Sequence, residues 1–170
     1  MFVLGVDPGV SRCGYSVIER IGSRHRAVAI GVLTTPPSDP LPVRLAELAG
    51  ELAQLFDEYR PDALALERVL FQVNTRTAMS VGQVSGLAMV EAARRGLPVT
   101  EYSPNQVKDA VVGYGAATKD QVGHMVATIL GLSAPPRPAD AADAAAVALC
   151  HLSHASLLAA AQRSERPGAS

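Results

Sequence analysis

Phe2-Val3-Leu4-Gly5-Val6-Asp7-Pro8-Gly9 is the stretch on which the reading of this chain turns. Residues 2–6 carry no charge, an acid follows, and a Pro-Gly turn comes at once. A short, partly β-branched run closed by turn residues marks a buried central strand. A carboxylate at the tip of such a strand is expensive to desolvate unless a cation or hydrogen-bond donors meet it. Asp7 alone reads equally well as a cap on the following turn. A site becomes the better reading only if other acids arrive in similarly apolar company, as Glu67, Asp140 and Asp143 do.

Working outward, Cys13 to Glu19 and Ala27 to Thr34 read as strands joined by a Gly22-Ser23 turn, so residues 2–34 suggest an antiparallel meander. After the Pro-rich loop at 36–40, apolar residues recur at three- and four-residue steps from Leu41 to Tyr59, an amphipathic helix ending before Pro61. Ala63-Leu64-Ala65-Leu66-Glu67 then repeats the opening theme. A strand reached through a helix lies parallel to the first by the usual crossover. Asp7 and Glu67 are therefore expected at one C-terminal edge, where open α/β sheets hold ligands.

Asn74 is placed to cap a helix running to about Arg95, with Gly96 and Pro98 stopping it. Ala78, Gly82, Ser85, Gly86 and Met89 form a stripe of mostly small residues on it, which suits either close packing on its own sheet or self-association. Val99 to Tyr102 reads as a strand, Ser103-Pro104 opens a helix to about Val112, and Lys119 to Leu130 is another. Asp140 starts an Ala-rich helix reaching about Gln162, and residues 163–170 read as a disordered tail. The expectation is one domain over 1–162.

The composition fits a folded soluble chain: 48% hydrophobic, 18% charged, with no apolar run long enough for a membrane span. Asp7 interrupts the N-terminus too early for a signal peptide. Cys13 and Cys150 have no metal or redox spacing and read as buried thiols of a reducing, cytoplasmic compartment. The net charge of −1 argues against nucleic acid at first sight. Setting aside the four acids as a metal site leaves 15 basic against 12 acidic residues, a balance of +3. Even so, charge alone does not point to DNA.

Asp140 and Asp143 stand at i and i+3, on one helix face and in the first turn, where acids complement the helix dipole. That face also carries Val147, which should look into the core. Two like charges pointing inward repel unless a cation lies between them. Four carboxylates from two strand ends and a helix make a hard-oxygen donor set, suited to Mg²⁺ or Mn²⁺ and not to zinc. Two such ions about 4 Å apart can activate water and stabilise a leaving oxygen in phosphoryl displacement. A phosphate loop of the Gly-Lys-Ser kind and a dinucleotide fingerprint are both missing. His25, His124, His151 and His154 form no metal-binding helix pair. His151 and His154, on the helix of the acids, read as packing or surface residues.

Val6-Asp7-Pro8-Gly9, Ala65-Leu66-Glu67-Arg68-Val69, Gln106-Val107-Lys108, Val111-Val112-Gly113-Tyr114-Gly115 and Ala139-Asp140-Ala141-Ala142-Asp143-Ala144 together resemble the RuvC family of Holliday junction resolvases. The match runs in the family's order over about residues 1–160. It implies an α/β, RNase H-like fold with a five-stranded mixed sheet flanked by helices. It also implies a homodimer that resolves four-way DNA junctions by paired, metal-dependent phosphodiester hydrolysis in recombination and repair. The cofactor implied is Mg²⁺, two ions per subunit, with Mn²⁺ able to substitute. By position, Asp7, Glu67, Asp140 and Asp143 match the metal-binding catalytic acids. Asp140 falls where some relatives have His. Lys108 and Lys119, the chain's two lysines, match basic residues of the DNA face, and Arg76 is placed with them. Some members have Phe three residues after the catalytic Glu, stacking on a junction base. Here Leu70 holds that position and Phe71 follows. The helix from about Asn74 resembles the dimer-forming element, and the RuvA–RuvB branch-migration machinery is the implied partner. The competing readings are another RNase H-like nuclease on a different nucleic-acid structure, a non-cutting junction-binding module, and an actin-like ATPase lobe. The intact acids weigh against the second and the chain length against the third.

Overall fold

Large and small residues alternate along the central strands, and that alternation decides how the sheet is covered. The structure, a computed structural model, describes residues 1–68 and 75–164. Its elements in chain order are β1 (Phe2–Asp7), β2 (Arg12–Ile21), β3 (Arg24–Thr34), α1 (Leu41–Tyr59), β4 (Ala63–Glu67), α2 (Thr75–Arg94), β5 (Val99–Tyr102), α3 (Pro104–Val112), α4 (Lys119–Leu130) and α5 (Ala139–Ser164). The sheet order is β3-β2-β1-β4-β5. β1 pairs antiparallel with β2 and β2 with β3, while β1–β4 and β4–β5 are parallel. This is the expected five-stranded mixed sheet, with the meander at one side and the crossover strands at the other.

Successive side chains of a strand point to opposite faces. Leu4, Val6, Val17, Leu64 and Leu66 face α1 and α2, where they pack with Leu48, Leu52, Leu55, Phe56, Val84, Ala88 and Ala92. Val3, Ile18 and Ala65 face the other way, with α3, α4 and α5. On that second face the strands carry little bulk. A Cβ on Gly5 would collide with the Ala144 carbonyl and lie 2.8 Å from the Ala148 Cβ. A Cβ on Gly14 would collide with the Asp140 carbonyl. Buried Ser16 donates from its Oγ to the Ala144 carbonyl at 3.0 Å. The Ala-rich α5 therefore lies on strand backbone, with hardly a side chain between.

Strands β2 and β3 extend beyond the expected Cys13–Glu19 and Ala27–Thr34, because the hairpin pairing continues to Ile21↔Arg24. Helix α5 runs to Ser164, two residues past the expected end, since Arg163 is a good helix former and Pro167 is the first residue to oppose the helix. Helix α2 begins at Thr75, and Asn74, expected to cap it, lies outside the described residues. The small-residue stripe on α2 divides. Ala78 and Ser85 are buried, whereas among the described residues a Cβ on Gly82 or Gly86 would meet nothing within 4 Å. The described part of the sheet therefore does not pack closely on these two glycines. Among the described residues no helix is long and apolar enough to cross a membrane.

Candidate active site

Asp7 and Glu67 end neighbouring parallel strands, one step beyond the Val6↔Leu66 pair. By alternation both share the face of Gly5 and Ala65, under α5. Because Gly14 admits the Asp140 carbonyl so closely, the first turn of α5 is carried to the same sheet edge. The charges of Asp143 and Asp140 are both felt at Asp7. The other three acids singled out by the sequence thus lie within electrostatic reach of Asp7 at one sheet edge.

The cluster is over-charged for its burial. Asp7 is pushed up to about 7, first by desolvation, then by the charges of Glu67 and Asp143. Glu67 is also raised, by desolvation and then by the charge of Asp143. Asp140 and Asp143 are each met by a cation of the chain: Arg12 Nε lies 3.3 Å from Asp140 Oδ2, and Lys119 Nζ donates to Asp143 Oδ2 at 2.7 Å. The expected mutual repulsion of these two acids is relieved in this way.

Lys119 is the first residue of α4. Thr118 caps that helix and Gln121 returns the bond to the Thr118 N–H, so the capping box fixes where the helix, and hence the ammonium group, begins. The hydrogen bond to Asp143, then the charges of Asp143, Asp7 and Glu67, raise the Lys119 pKa. A second capping box, Ser103 with Gln106, starts α3, which carries Lys108. Lys108, Lys119, Glu67 and Asp143 line one groove of about 260 Å³ with Pro104, Val107, Val122 and Ala146. Both lysines of the sequence are therefore at the acids.

The donor set is all carboxylate oxygen, and two side-chain cations, Arg12 and Lys119, offset part of its negative charge. That is the chemistry of residues that accept a hard divalent cation when one is supplied. Among the described residues, no three His, Cys, Asp or Glu side chains are already closed around a cation-sized gap.

His151 and His154 belong elsewhere. His151 is buried and its Nδ1 is 3.0 Å from the Tyr102 hydroxyl. Its pKa is lowered by desolvation and by His154. His154 Nδ1 lies 2.8 Å from the Cys150 carbonyl, and its ring packs on Tyr102. Leu70 and Phe71 lie outside the described residues, and so does the side chain of Arg76. Sequence reasoning missed Arg12. The signal was available, since Arg12 shares the strand face of Gly14 and Ser16, but nothing in the sequence says that Asp140 lies over that face.

A family model described as Crossover junction endodeoxyribonuclease RuvC matches residues 3–151. A protein of that description from Salinispora arenicola is 49% identical over 173 residues, covering 99% of this chain and 99% of the relative. Among solved structures, Thermus thermophilus RuvC superposes with a TM-score of 0.85 at 37% identity, covering 92% of this chain and 96% of the other. The same protein in complex with a Holliday junction substrate gives a TM-score of 0.88 at 37% identity over the same shares.

Proposed function

The chain belongs to the RuvC family of crossover junction endodeoxyribonucleases, and on that premise we propose how its residues cut DNA. It is a structure-selective endonuclease of RNase H-like fold acting on Holliday junctions. The proposal concerns the site: Asp7, Glu67, Asp140 and Asp143 hold Mg²⁺, two ions per subunit, with Mn²⁺ as a substitute. Bound there, the cations supply the positive charge that acidifies an attacking water and offsets charge developing on the scissile phosphate. The observation that carries this reading is geometric: Asp7 and Glu67 end neighbouring parallel strands, and Glu67, Asp143 and both lysines line one groove.

The residues of the chain do the rest. Asp7, raised by burial and by its neighbouring acids, would ligate in its ionised form and release any proton it holds. Lys119 leaves Asp143 and turns its ammonium group to the phosphate, where charge develops in the transition state. Lys108, which lines the same groove, holds the strand. The Ala-rich face of α5 is anchored on Gly5 and Gly14, which keeps the two helical acids in register with the strand acids.

The assembly is a homodimer in this proposal. Support comes from the outward stripe of α2, where Met79 is 67% and Val90 48% exposed and Gly82 and Gly86 are open. A dimer presents two sites to two opposed strands. Partnership with RuvA–RuvB and a cytoplasmic setting follow from the family alone. Purified protein, with and without Mg²⁺, tested on four-way, duplex, single-stranded and RNA/DNA hybrid substrates should cut the four-way junction, and only with the metal. Equal cutting of duplex, or cutting in chelator, contradicts the proposal.

A further inference from the structure

The two acids of α5 are held differently. Asp143 takes a close hydrogen bond from Lys119. Among the described residues Asp140 is paired with Arg12, through Nε at 3.3 Å, with the Arg12 side chain 60% exposed and that of Asp140 27% exposed. The strand explains the placement. Arg12, Gly14 and Ser16 alternate onto one face of β2. Ser16 bonds the Ala144 carbonyl and Gly14 lies against the Asp140 carbonyl. Two residues earlier, Arg12 is carried over the Asp140 side chain. Its backbone is set on both sides, by the pair with Thr34 and by the Pro8–Gly9 turn folded onto its carbonyl.

This side chain contributes nothing to either core. An exposed guanidinium is a planar fork that matches a phosphate with two donors. Lys108 and Lys119 line the groove of Glu67 and Asp143 from α3 and α4, whereas Arg12 reaches Asp140 from β2. A DNA strand drawn across the acids would meet cations carried by separate elements of the fold.

We propose that Arg12 is a phosphate-binding residue of this site, neutralising Asp140 in the free protein and engaging a backbone phosphate on the β2 side when DNA is bound. The proposal rests on the endonuclease reading above. Cation ligation by Asp140 would then free the guanidinium at the moment the substrate needs it.

The test is metal-free binding of a labelled four-way junction in EDTA over a salt series, followed by anisotropy. Wild type, Arg12→Gln, Arg12→Ala and Arg12→Lys are compared, each with its melting temperature. Loss of one duplex phosphate contact lowers the log–log salt slope by about 0.9. Arg12→Gln and Arg12→Ala should show that loss, and Arg12→Lys, which keeps the charge, should retain the slope. The wild-type curve tests the parent reading separately: no preference for the junction over duplex overturns the nuclease assignment whatever Arg12 does. With that preference intact, an unchanged slope in Arg12→Gln and Arg12→Ala overturns the proposal. Slower cutting with an unchanged slope also overturns it, since Arg12 would then only support Asp140.

Discussion

The two faces of the sheet are built on opposite principles. Toward α1 and α2, β1 and β4 present Leu4, Val6, Leu64 and Leu66, and the helices answer with Leu48, Leu52, Leu55 and Phe56. Toward α5, the same two strands present Val3, Gly5, Ala63 and Ala65 before their terminal acids, and the helix answers largely with alanine. The first face holds the fold together by volume and buried area. The second brings a helix so close that backbone meets backbone, and four carboxylates converge as a result. Adhesion and chemistry are thus divided between the faces of one sheet.

The largest effect expected from breaking this division is at the acids. Asp7→Asn should slow junction cutting by about 10³-fold or more, several kcal/mol of transition-state stabilisation, while junction binding in chelator is retained. Near-normal cutting would remove Asp7 from the metal site.

A paired experiment tests whether the faces are separable. Leu52→Ala, in the large-residue core, should cost about 2–5 kcal/mol of stability yet leave cutting per folded molecule unchanged. Gly5→Ala should lower both stability and cutting per folded molecule. Its added Cβ must displace α5, an overpacking cost of about 1–3 kcal/mol, and a shift of 1 Å at Asp140 and Asp143 can cost about 10²-fold in rate. Denaturation curves and single-turnover cleavage read the two quantities. Normal cutting by Gly5→Ala would show that the seat of α5 does not place the acids.

A smaller effect concerns pH. Asp7 is an acid whose folded pKa is raised, from 3.8 to about 7, so the folded chain binds its proton more tightly than the unfolded one. Its stability is greatest below the unfolded value, falls between pH 4 and 7, and stays lowered above that. Asn mimics the protonated acid. In chelator, Asp7→Asn should therefore melt higher than wild type at pH 8 by about 2–4 °C per kcal/mol recovered, with the gap closing by pH 4. A constant gap across that range would mean that Asp7 is not the titrating group.

The smallest effect on the protomer lies on the outer side of α2. A side chain at Gly86 meets open space, and leucine is the better helix former by about 0.8 kcal/mol. Gly86→Leu should leave the protomer folded and no less stable while sedimentation shifts from dimer to monomer. An unshifted dimer would place the interface elsewhere.

Much of this was open to reading before any coordinates. Ala63-Leu64-Ala65-Leu66-Glu67 and Phe2 to Asp7 carry their strand assignment, their length and their terminal acids locally, because apolar periodicity and turn residues act over a few positions. The helix limits at Tyr59, Val112 and Leu130 follow from the same short-range signals. Lys108 and Lys119 were singled out by resemblance, and the fold brings both to one groove with Glu67 and Asp143. The openness around Gly82 and Gly86 needed the fold, because a small residue looks the same in sequence whether it admits a neighbour or faces solvent. Contacts between residues far apart in the chain likewise needed it. Arg12 with Asp140, Ser16 with Ala144 and Tyr102 with His151 are set by which helix covers which sheet face. The chain by itself determined the strands, the helices and the identity of the acids. Only the tertiary structure decided that burial raises Asp7 and Glu67 and which cation attends each helical acid. Those outcomes depend on burial and on charges brought together across the fold, and neither is a property of any local stretch.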